Sequence, residues 1–247
     1  MIQMASVGGA TLVVSNEIQD IIIADVALTI AFTLIYTGGL AATTLHFASF
    51  LYFLPIAFVA VTLSFVLHEY MHKIVAQRFG AIAAFKKSDM GILITLVTGA
   101  FGFLIGIPGA TMIYTSRFTN KEEGYVSLAG PLTNFVIFAI FFGAYLSLFH
   151  SSPGVILGGN RPGTYLQDLM AITLFISIWL AFFNMLPIYP LDGSKVLKWN
   201  WKVYAFMLGL TFIFTYSIVG LSIVIYFIFA MVLALFFSMM YSGMRLF

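Results

Sequence analysis

The sequence predicts an all-α polytopic membrane protein with six transmembrane helices and a membrane re-entrant β-like loop. Hydrophobic residues make up 62% of the 247 positions and charged residues 8%, with a mean hydropathy of +1.06. A soluble domain carries about 25% charged residues. Several apolar runs reach the roughly 20 residues that span a bilayer as a helix. The basic residues lie between these runs in a pattern that assigns nearly all of them to one face of the membrane.

The apolar runs follow one another along the chain with short polar breaks. Residues 1–20 form an N-terminal segment without the basic start of a signal peptide, so we expect it to be retained. Residues 21–247 are expected to form a single transmembrane domain, with its core at residues 48–202. The apolar runs cover residues 24–45, 48–72, 91–115, 124–149, 166–187, 203–219 and 221–243.

The run Met90–Thr115 differs from the others because glycine and proline interrupt it. Five of its first twenty residues are glycine, and Pro108-Gly109 breaks the run. This density favours irregular or β-like structure over a straight helix. Basic residues precede the run and follow it, so both of its ends are expected on the cytoplasmic face. A segment that enters and leaves on one face is re-entrant.

Six spanning helices then remain, and both termini are expected in the cytoplasm. Of the 11 basic residues, Arg161 alone is expected outside. The others are Lys73, Arg78, Lys86, Lys87, Arg117, Lys121, Lys195, Lys198, Lys202 and Arg245. If the run Met90–Thr115 spanned instead, much of this asymmetry would disappear. Non-helical backbone at membrane depth packs in protein or lines a watery cavity, so we expect a cavity beside the re-entrant segment.

Composition also excludes several classes of function. The chain has no cysteine, which excludes disulfides, thiolate metal sites and cysteine nucleophiles. A net charge of +2 without a long basic run argues against nucleic-acid binding.

The segment "FVLHEYMHKIV" at residues 65–75 contains His68-Glu69-x-x-His72. On a helix, two histidines four residues apart project from one face and can share a metal ion. Glu69 lies beside them and suits a general base acting on water at the metal. The alternative is a helix end that carries interfacial polar residues, but this does not explain the spacing. The motif therefore predicts a zinc site with Glu69 as the catalytic residue.

A catalytic zinc site usually takes three protein ligands, and Asp192 is the best remaining carboxylate. It follows an apolar run, in "NMLPIYPLDGSKV", at the same cytoplasmic end as the histidine pair. A helix cap or turn in Pro-Leu-Asp-Gly is the alternative role. Glu17, Asp20 and Asp25 are expected before the first helix or at its start, where Asp25 needs the interface or a polar partner.

Three motifs in order resemble the site-2 protease family of intramembrane zinc metalloproteases. They are His68-Glu69-x-x-His72, then "AGPLTNF" at residues 129–135, then "NMLPIYPLDG" at residues 184–193. Ser194 stands where the family often has a second glycine. The resemblance implies that His68, His72 and Asp192 bind Zn²⁺ and that Glu69 activates water.

The same resemblance implies how substrate binds. Asn184 and Asn134 would be polar partners of the substrate backbone or of the developing oxyanion, with helix-packing hydrogen bonds as the alternative role for each. An edge strand before the third core helix would receive the unwound substrate. Residues 109–115 are the expected strand.

The sequence therefore predicts an intramembrane zinc metalloprotease that acts on transmembrane protein substrates in a lipid bilayer, with its active site open to the cytoplasm. The alternative is a divalent metal ion transporter or channel that uses the same cluster of His, Glu and Asp. A peptidase of the prenyl-protein-processing type would need a glutamate as third ligand, and Glu123 is the last glutamate of the chain. The sequence predicts neither the substrate nor the oligomeric state.

Overall fold

A computed structural model describes residues 3–7, 10–14, 16–104, 106–114, 118–154 and 163–244. Up to residue 14 and over much of 219–244, only the backbone is described. The chain divides into two compact units, Met1–Arg117 and Phe118–Phe247.

The first unit begins with a hairpin and a long helix. Strands β1 (Gln3–Val7) and β2 (Ala10–Val14) pair antiparallel, with Gln3 opposite Val14. Helix α1 (Glu17–Tyr36) starts inside the predicted N-terminal segment, and α2 (Leu40–Leu45) follows it.

The predicted apolar run 24–45 is not one helix. Helix α1 ends before two glycines that have positive φ, and α2 begins after them. Gly38 and Gly39 have φ of 86° and 88°. A Cβ at Gly39 would lie 2.8 Å from the carbonyl oxygen of Ala100, so a side chain there is also excluded by packing.

The helix that carries His68-Glu69-x-x-His72, called the motif helix below, runs without a break from Phe47 to Arg78. It consists of α3 (Phe47–Val61), a π-helical turn (Thr62–Val66) and α4 (Leu67–Arg78). Single π turns occur often at functional sites, and this one ends just before His68. The ring of Phe65, in the π turn, packs edge-on against Phe85 with 5.7 Å between centroids.

The predicted re-entrant segment is a short helix followed by a strand. Strand β3 (Ile82–Lys87) precedes α5 (Asp89–Ala100), and β4 (Gly109–Tyr114) pairs antiparallel with β3, with Thr111 opposite Phe85. The prediction that residues 90–115 are not one spanning helix is confirmed. The expectation of irregular structure across its first half is wrong, because α5 is helical.

Two glycines of α5 serve close packing rather than a break in the helix. A Cβ at Gly91 would lie 1.8 Å from the carbonyl oxygen of Ile107, and one at Gly99 would lie 2.8 Å from the Cβ of Ala31. The glycines therefore let α5 approach α1 and the chain before β4.

The secondary structure of the second unit consists of helices joined by short turns in the part that is described. Helix α6 (Asn120–Phe149) begins at a capping box formed by Thr119 and Glu122, and α7 (Tyr165–Asn184) begins at one formed by Thr164 and Gln167. Helix α8 (Asp192–Trp199) and helix α9 (Trp201–Met244) follow.

These helices share an apolar core. The fully buried side chains of Phe138, Leu174 and Met185 lie at its centre. Helix α8 packs on α6 at Gly124, where an added Cβ would lie 2.6 Å from the ring and Cβ of Trp199.

Five helices in the described part of the chain are long and apolar enough to cross a membrane. They are Glu17–Tyr36, Phe47–Arg78, Asn120–Phe149, Tyr165–Asn184 and Trp201–Ile218. The sixth predicted span, 221–243, falls on α9 beyond a break at Gly220, where most side chains lie outside the described residues. The mostly helical fold is confirmed, while the count of six and the division at residue 20 stay predictions.

Candidate metal centre and active site

The two motif histidines converge on one face of α4. Their Nε2 atoms lie 3.0 Å apart, the ring centroids are 4.7 Å apart, and the rings are inclined by 81°. The side chains are 2% and 6% exposed for His68 and His72. Two nitrogens on a tetrahedral zinc, each at 2.0–2.1 Å, lie about 3.3 Å apart. The observed spacing therefore fits a shared metal ion with a small adjustment.

Glu69 turns towards the hairpin formed by β3 and β4. It is 9% exposed. Its Oε2 accepts a hydrogen bond from the backbone N–H of Thr111 at 2.9 Å and lies 2.8 Å from the Thr111 hydroxyl. The hydroxyl is also 3.1 Å from the carbonyl oxygen of Glu69. The predicted general base is thus hydrogen-bonded to the strand that the resemblance implies as the substrate edge.

The outer side of β3 is covered by acidic side chains of α1. The backbone N–H of Phe85 donates to Oε1 of Glu17 at 3.1 Å, and that of Lys87 donates to Oδ2 of Asp20 at 3.4 Å. Because a strand edge with open N–H groups can pair with another chain, these carboxylates close this edge. Within the described residues β4 pairs only with β3, so the second edge of the hairpin is the one at Thr111.

Glu17 also reaches the motif helix. Its Oε2 lies 2.6 Å from Nζ of Lys73, the residue after His72. The prediction that Glu17 and Asp20 precede the first helix is wrong, because both lie in its first turn. Acidic residues stabilise the N-terminus of a helix through its dipole. Their position in the sequence could therefore have indicated where the helix starts. Their contacts with residues far along the chain had no sequence signal.

Asp25 has the polar partner that its position on a membrane helix requires. Its Oδ2 accepts a hydrogen bond of 2.8 Å from the hydroxyl of Thr62, in the π turn. Asp25 is buried on α1, so this bond links the first helix to the turn that precedes His68.

In the second unit, Asp192 is buried at the first residue of α8. The residue in the N-cap position is Leu191, so Asp192 does not occupy the capping position considered from the sequence. Gly193 permits a close approach, because a Cβ there would lie 2.2 Å from the carbonyl oxygen of Met185. The turn before α8 is thereby held against the end of α7.

The two asparagines have different surroundings within this unit. Nδ2 of Asn184 donates to the carbonyl oxygen of Leu180 in its own helix at 3.0 Å. Asn134 is fully buried on α6, and neither atom of its amide finds a hydrogen-bond partner among the described residues. The helix-packing hydrogen bond considered for Asn134 is therefore not present in the described part of the chain.

A family model and several known proteins match this chain, and they agree on one family. Peptidase family M50 matches residues 56–225. A Methanocaldococcus jannaschii protein is 36% identical over 151 residues, which cover 61% of this chain and 73% of the relative. A Bacillus subtilis protein is 30% identical over 167 residues, covering 60% and 72%. A Mycobacterium tuberculosis protein is 28% identical over 148 residues, covering 55% and 53%.

All three relatives are named, provisionally, as zinc metalloproteases. No solved structure matches the chain significantly. The family match covers more than half of the chain and includes the His68-Glu69-x-x-His72 motif. The chain belongs to peptidase family M50, and its resemblance to the site-2 proteases is confirmed.

Proposed function

We propose that this chain, an integral membrane protein of peptidase family M50, is an intramembrane zinc metalloprotease that hydrolyses peptide bonds in or near transmembrane segments of membrane protein substrates. The observation that carries the proposal is the buried, converging His68–His72 pair with Glu69 beside it on one helix. The Nε2 atoms of the pair lie 3.0 Å apart, close to the separation of about 3.3 Å expected for two nitrogens on one tetrahedral zinc, which supports a shared metal ion.

His68 and His72 would hold the metal, and Asp192 is proposed as the third ligand. Each of the three side chains is buried and offers one ligand atom. Buried ionisable groups are paired or coordinate metals, and the family match spans all three residues. Imidazole and carboxylate ligands suit zinc, and zinc in such a site lowers the pKa of water and polarises a carbonyl.

Glu69 is proposed as the general base. It takes a proton from the attacking water and returns it to the amine that leaves when the peptide bond breaks. Proton transfer requires the base to lie within hydrogen-bond reach of the proton. The hydrogen bonds from Thr111 hold the buried Glu69 carboxylate in one orientation, which supports this role.

The strand β4 is proposed as the place where an extended substrate pairs. A helical substrate must unwind before its amide can react, and its exposed backbone groups then need partners because the bilayer offers none. Strand addition to an open sheet edge supplies them. The side of β3 is closed by Glu17 and Asp20, which supports β4 as the receiving edge.

Asn134 and Asn184 are proposed as polar partners of the substrate backbone or of the oxyanion. An amide donor stabilises developing negative charge without having to ionise. The unpartnered buried amide of Asn134 supports this role, because an unsatisfied polar group costs free energy unless a ligand or water completes it.

The basic residues of the sequence support an orientation in which both termini and the opening of the active site face the cytoplasm. The partners proposed are a transmembrane protein substrate and the lipid bilayer.

Zinc content and cleavage together test the proposal. Purified wild-type protein is expected to hold one zinc per chain and to cut a single-span test substrate in liposomes. His68→Ala and Asp192→Ala are expected to lose both, while His46→Ala, an exposed histidine outside the motif, keeps both. Full zinc occupancy in Asp192→Ala would show that the ligand assignment is wrong.

A transporter that uses the same residues makes the opposite prediction. It would move zinc into sealed liposomes in a manner dependent on His68 and would leave the test substrate intact. Zinc flux without cleavage would therefore replace the protease proposal with the transporter.

A further inference from the structure

Thr111 makes three contacts with Glu69. Two of them bring the two donors of Thr111 to one carboxylate oxygen, and the third places its hydroxyl 3.1 Å from the backbone carbonyl oxygen of Glu69. Oε2 of Glu69 accepts from the backbone N–H of Thr111 at 2.9 Å and lies 2.8 Å from the Thr111 hydroxyl. Among the described residues no hydrogen bond to Oε1 of Glu69 is found. The two carboxylate oxygens therefore have unequal surroundings, and Thr111 causes the difference.

We infer that Thr111 is a positioning residue for the reaction, which holds Oε2 of Glu69 and so assigns proton transfer to Oε1. This inference rests on the proposed function. A carboxylate on a glutamate side chain rotates about its terminal torsion in a broad well. Two donors on one oxygen narrow that rotation, and the other oxygen is then turned away from the strand. General-base catalysis gains from this because a misplaced base loses reach to the proton.

The backbone register explains how a strand residue can reach the base. Thr111 lies opposite Phe85 in the antiparallel pair. The N–H of Phe85 points out of the hairpin to Glu17, and the N–H of Thr111 points out of its other side to Glu69. This is the non-hydrogen-bonded pair of an antiparallel ladder, whose N–H groups face away from the partner strand.

The base and the proposed substrate edge are joined through this residue. While Glu69 accepts from Thr111, that N–H is not available to an added strand, so substrate pairing with β4 is interrupted at this position. A shift of β4 would also carry Oε2 of Glu69 with it. Thr111 therefore makes the position of the base depend on the position of the strand.

Two substitutions of Thr111, one without and one with a hydroxyl, distinguish a role in positioning Glu69 from a role in packing. Thr111→Val removes the hydroxyl but keeps the backbone N–H, the branched shape and the strand preference. Thr111→Ser keeps the hydroxyl. Hydrogen-bond partners that orient metal ligands typically cost about 10- to 100-fold when removed. We expect a loss of the same order for a partner that orients the general base, so kcat of Thr111→Val is expected to fall by about 10- to 100-fold. KM, the zinc content and the thermal midpoint are expected to stay near wild type.

Thr111→Ser is expected to keep kcat near the wild-type value, because it retains the hydroxyl donor to Oε2. Thr211→Val is the matched control, since the Thr211 hydroxyl bonds the carbonyl oxygen of Met207 in its own helix. That variant is expected to cleave normally. If Thr111→Val fails to purify, Thr111→Ala against Thr111→Ser makes the same comparison.

Two outcomes would overturn the inference while leaving the proposed function in place. One is wild-type kcat in Thr111→Val while Glu69→Gln is inactive. The other is an equal loss in Thr111→Val and Thr111→Ser together with lower zinc content and thermal midpoint, which is a packing defect. Wild-type cleavage by Glu69→Gln would instead remove the proposed function, and the inference with it.

Discussion

The Glu17 carboxylate on α1 accepts a hydrogen bond from Nζ of Lys73 on α4 at 2.6 Å. Its other oxygen accepts the backbone N–H of Phe85 on β3 at 3.1 Å. One side chain thus joins the first helix, the motif helix and the hairpin.

Glu17→Ala is expected to destabilise the protein, because it leaves a half-buried ammonium and a strand N–H without their acceptor. Hydrogen bonds to charged groups contribute about 1.5–3 kcal/mol each, so the loss is expected to be about 2 kcal/mol, measured as a lower thermal midpoint in detergent. Asp89→Ala is the control: it removes the exposed acid that pairs with Lys87, and surface pairs contribute little. Equal midpoints in the two variants would contradict the role given to Glu17.

Thr62→Val is expected to weaken zinc binding as well as stability. It removes the donor to buried Asp25 from the π turn that precedes His68. Loss of a buried partner costs about 1–3 kcal/mol, and because the π turn directly precedes the ligand His68, we expect the metal affinity to fall as well. Competition with a zinc chelator measures the affinity.

Thr29→Val is the matched control for Thr62→Val. The Thr29 hydroxyl is buried on α1 and has no hydrogen-bond partner among the described residues. Its removal is therefore expected to be neutral or stabilising. If Thr29→Val weakened zinc binding as much as Thr62→Val does, the effect would not come from the bond to Asp25.

Gly124→Ala is expected to destabilise the packing of α8 on α6. The added Cβ would lie 2.6 Å from Trp199, at its Cβ and its ring, which cannot move without shifting α8. Overpacking typically costs about 1–3 kcal/mol. Gly143→Ala lies on the same helix with open space around the added Cβ and is expected to gain up to about 1 kcal/mol. Chemical unfolding of both variants checks the difference in sign, and equal stabilities would contradict the packing.

Asn134→Leu is expected to raise stability and lower activity. The substitution removes a fully buried amide whose atoms find no partner among the described residues. Burying such a group costs about 1–3 kcal/mol, so the thermal midpoint should rise. Loss of an oxyanion donor costs about 100- to 1,000-fold in kcat. A lower midpoint would mean that the amide is bonded, and an unchanged kcat would remove Asn134 from the site.

The sequence predicted the site residues that lie close together along the chain, but it did not predict contacts between residues far apart in the chain. The His68–His72 convergence follows from the helical repeat alone, and the strand over residues 109–114 was expected on the basis of resemblance. The prediction of irregular structure at α5 was wrong because its glycines were interpreted as helix breakers. Gly91 and Gly99 instead allow close contacts with Ile107 and Ala31. The bonds of Glu17 join residues 56 and 68 positions apart, and only folding reveals such pairs.

Cleavage by Glu69→Gln at matched zinc content tests the central claim most directly. Purified wild type and Glu69→Gln would be placed in liposomes with a single-span substrate, and zinc and product measured in the same samples. We predict equal zinc content and a rate about 100- to 10,000-fold lower in the variant, the range that a general base contributes. Wild-type cleavage by Glu69→Gln at equal zinc would contradict hydrolysis by this site.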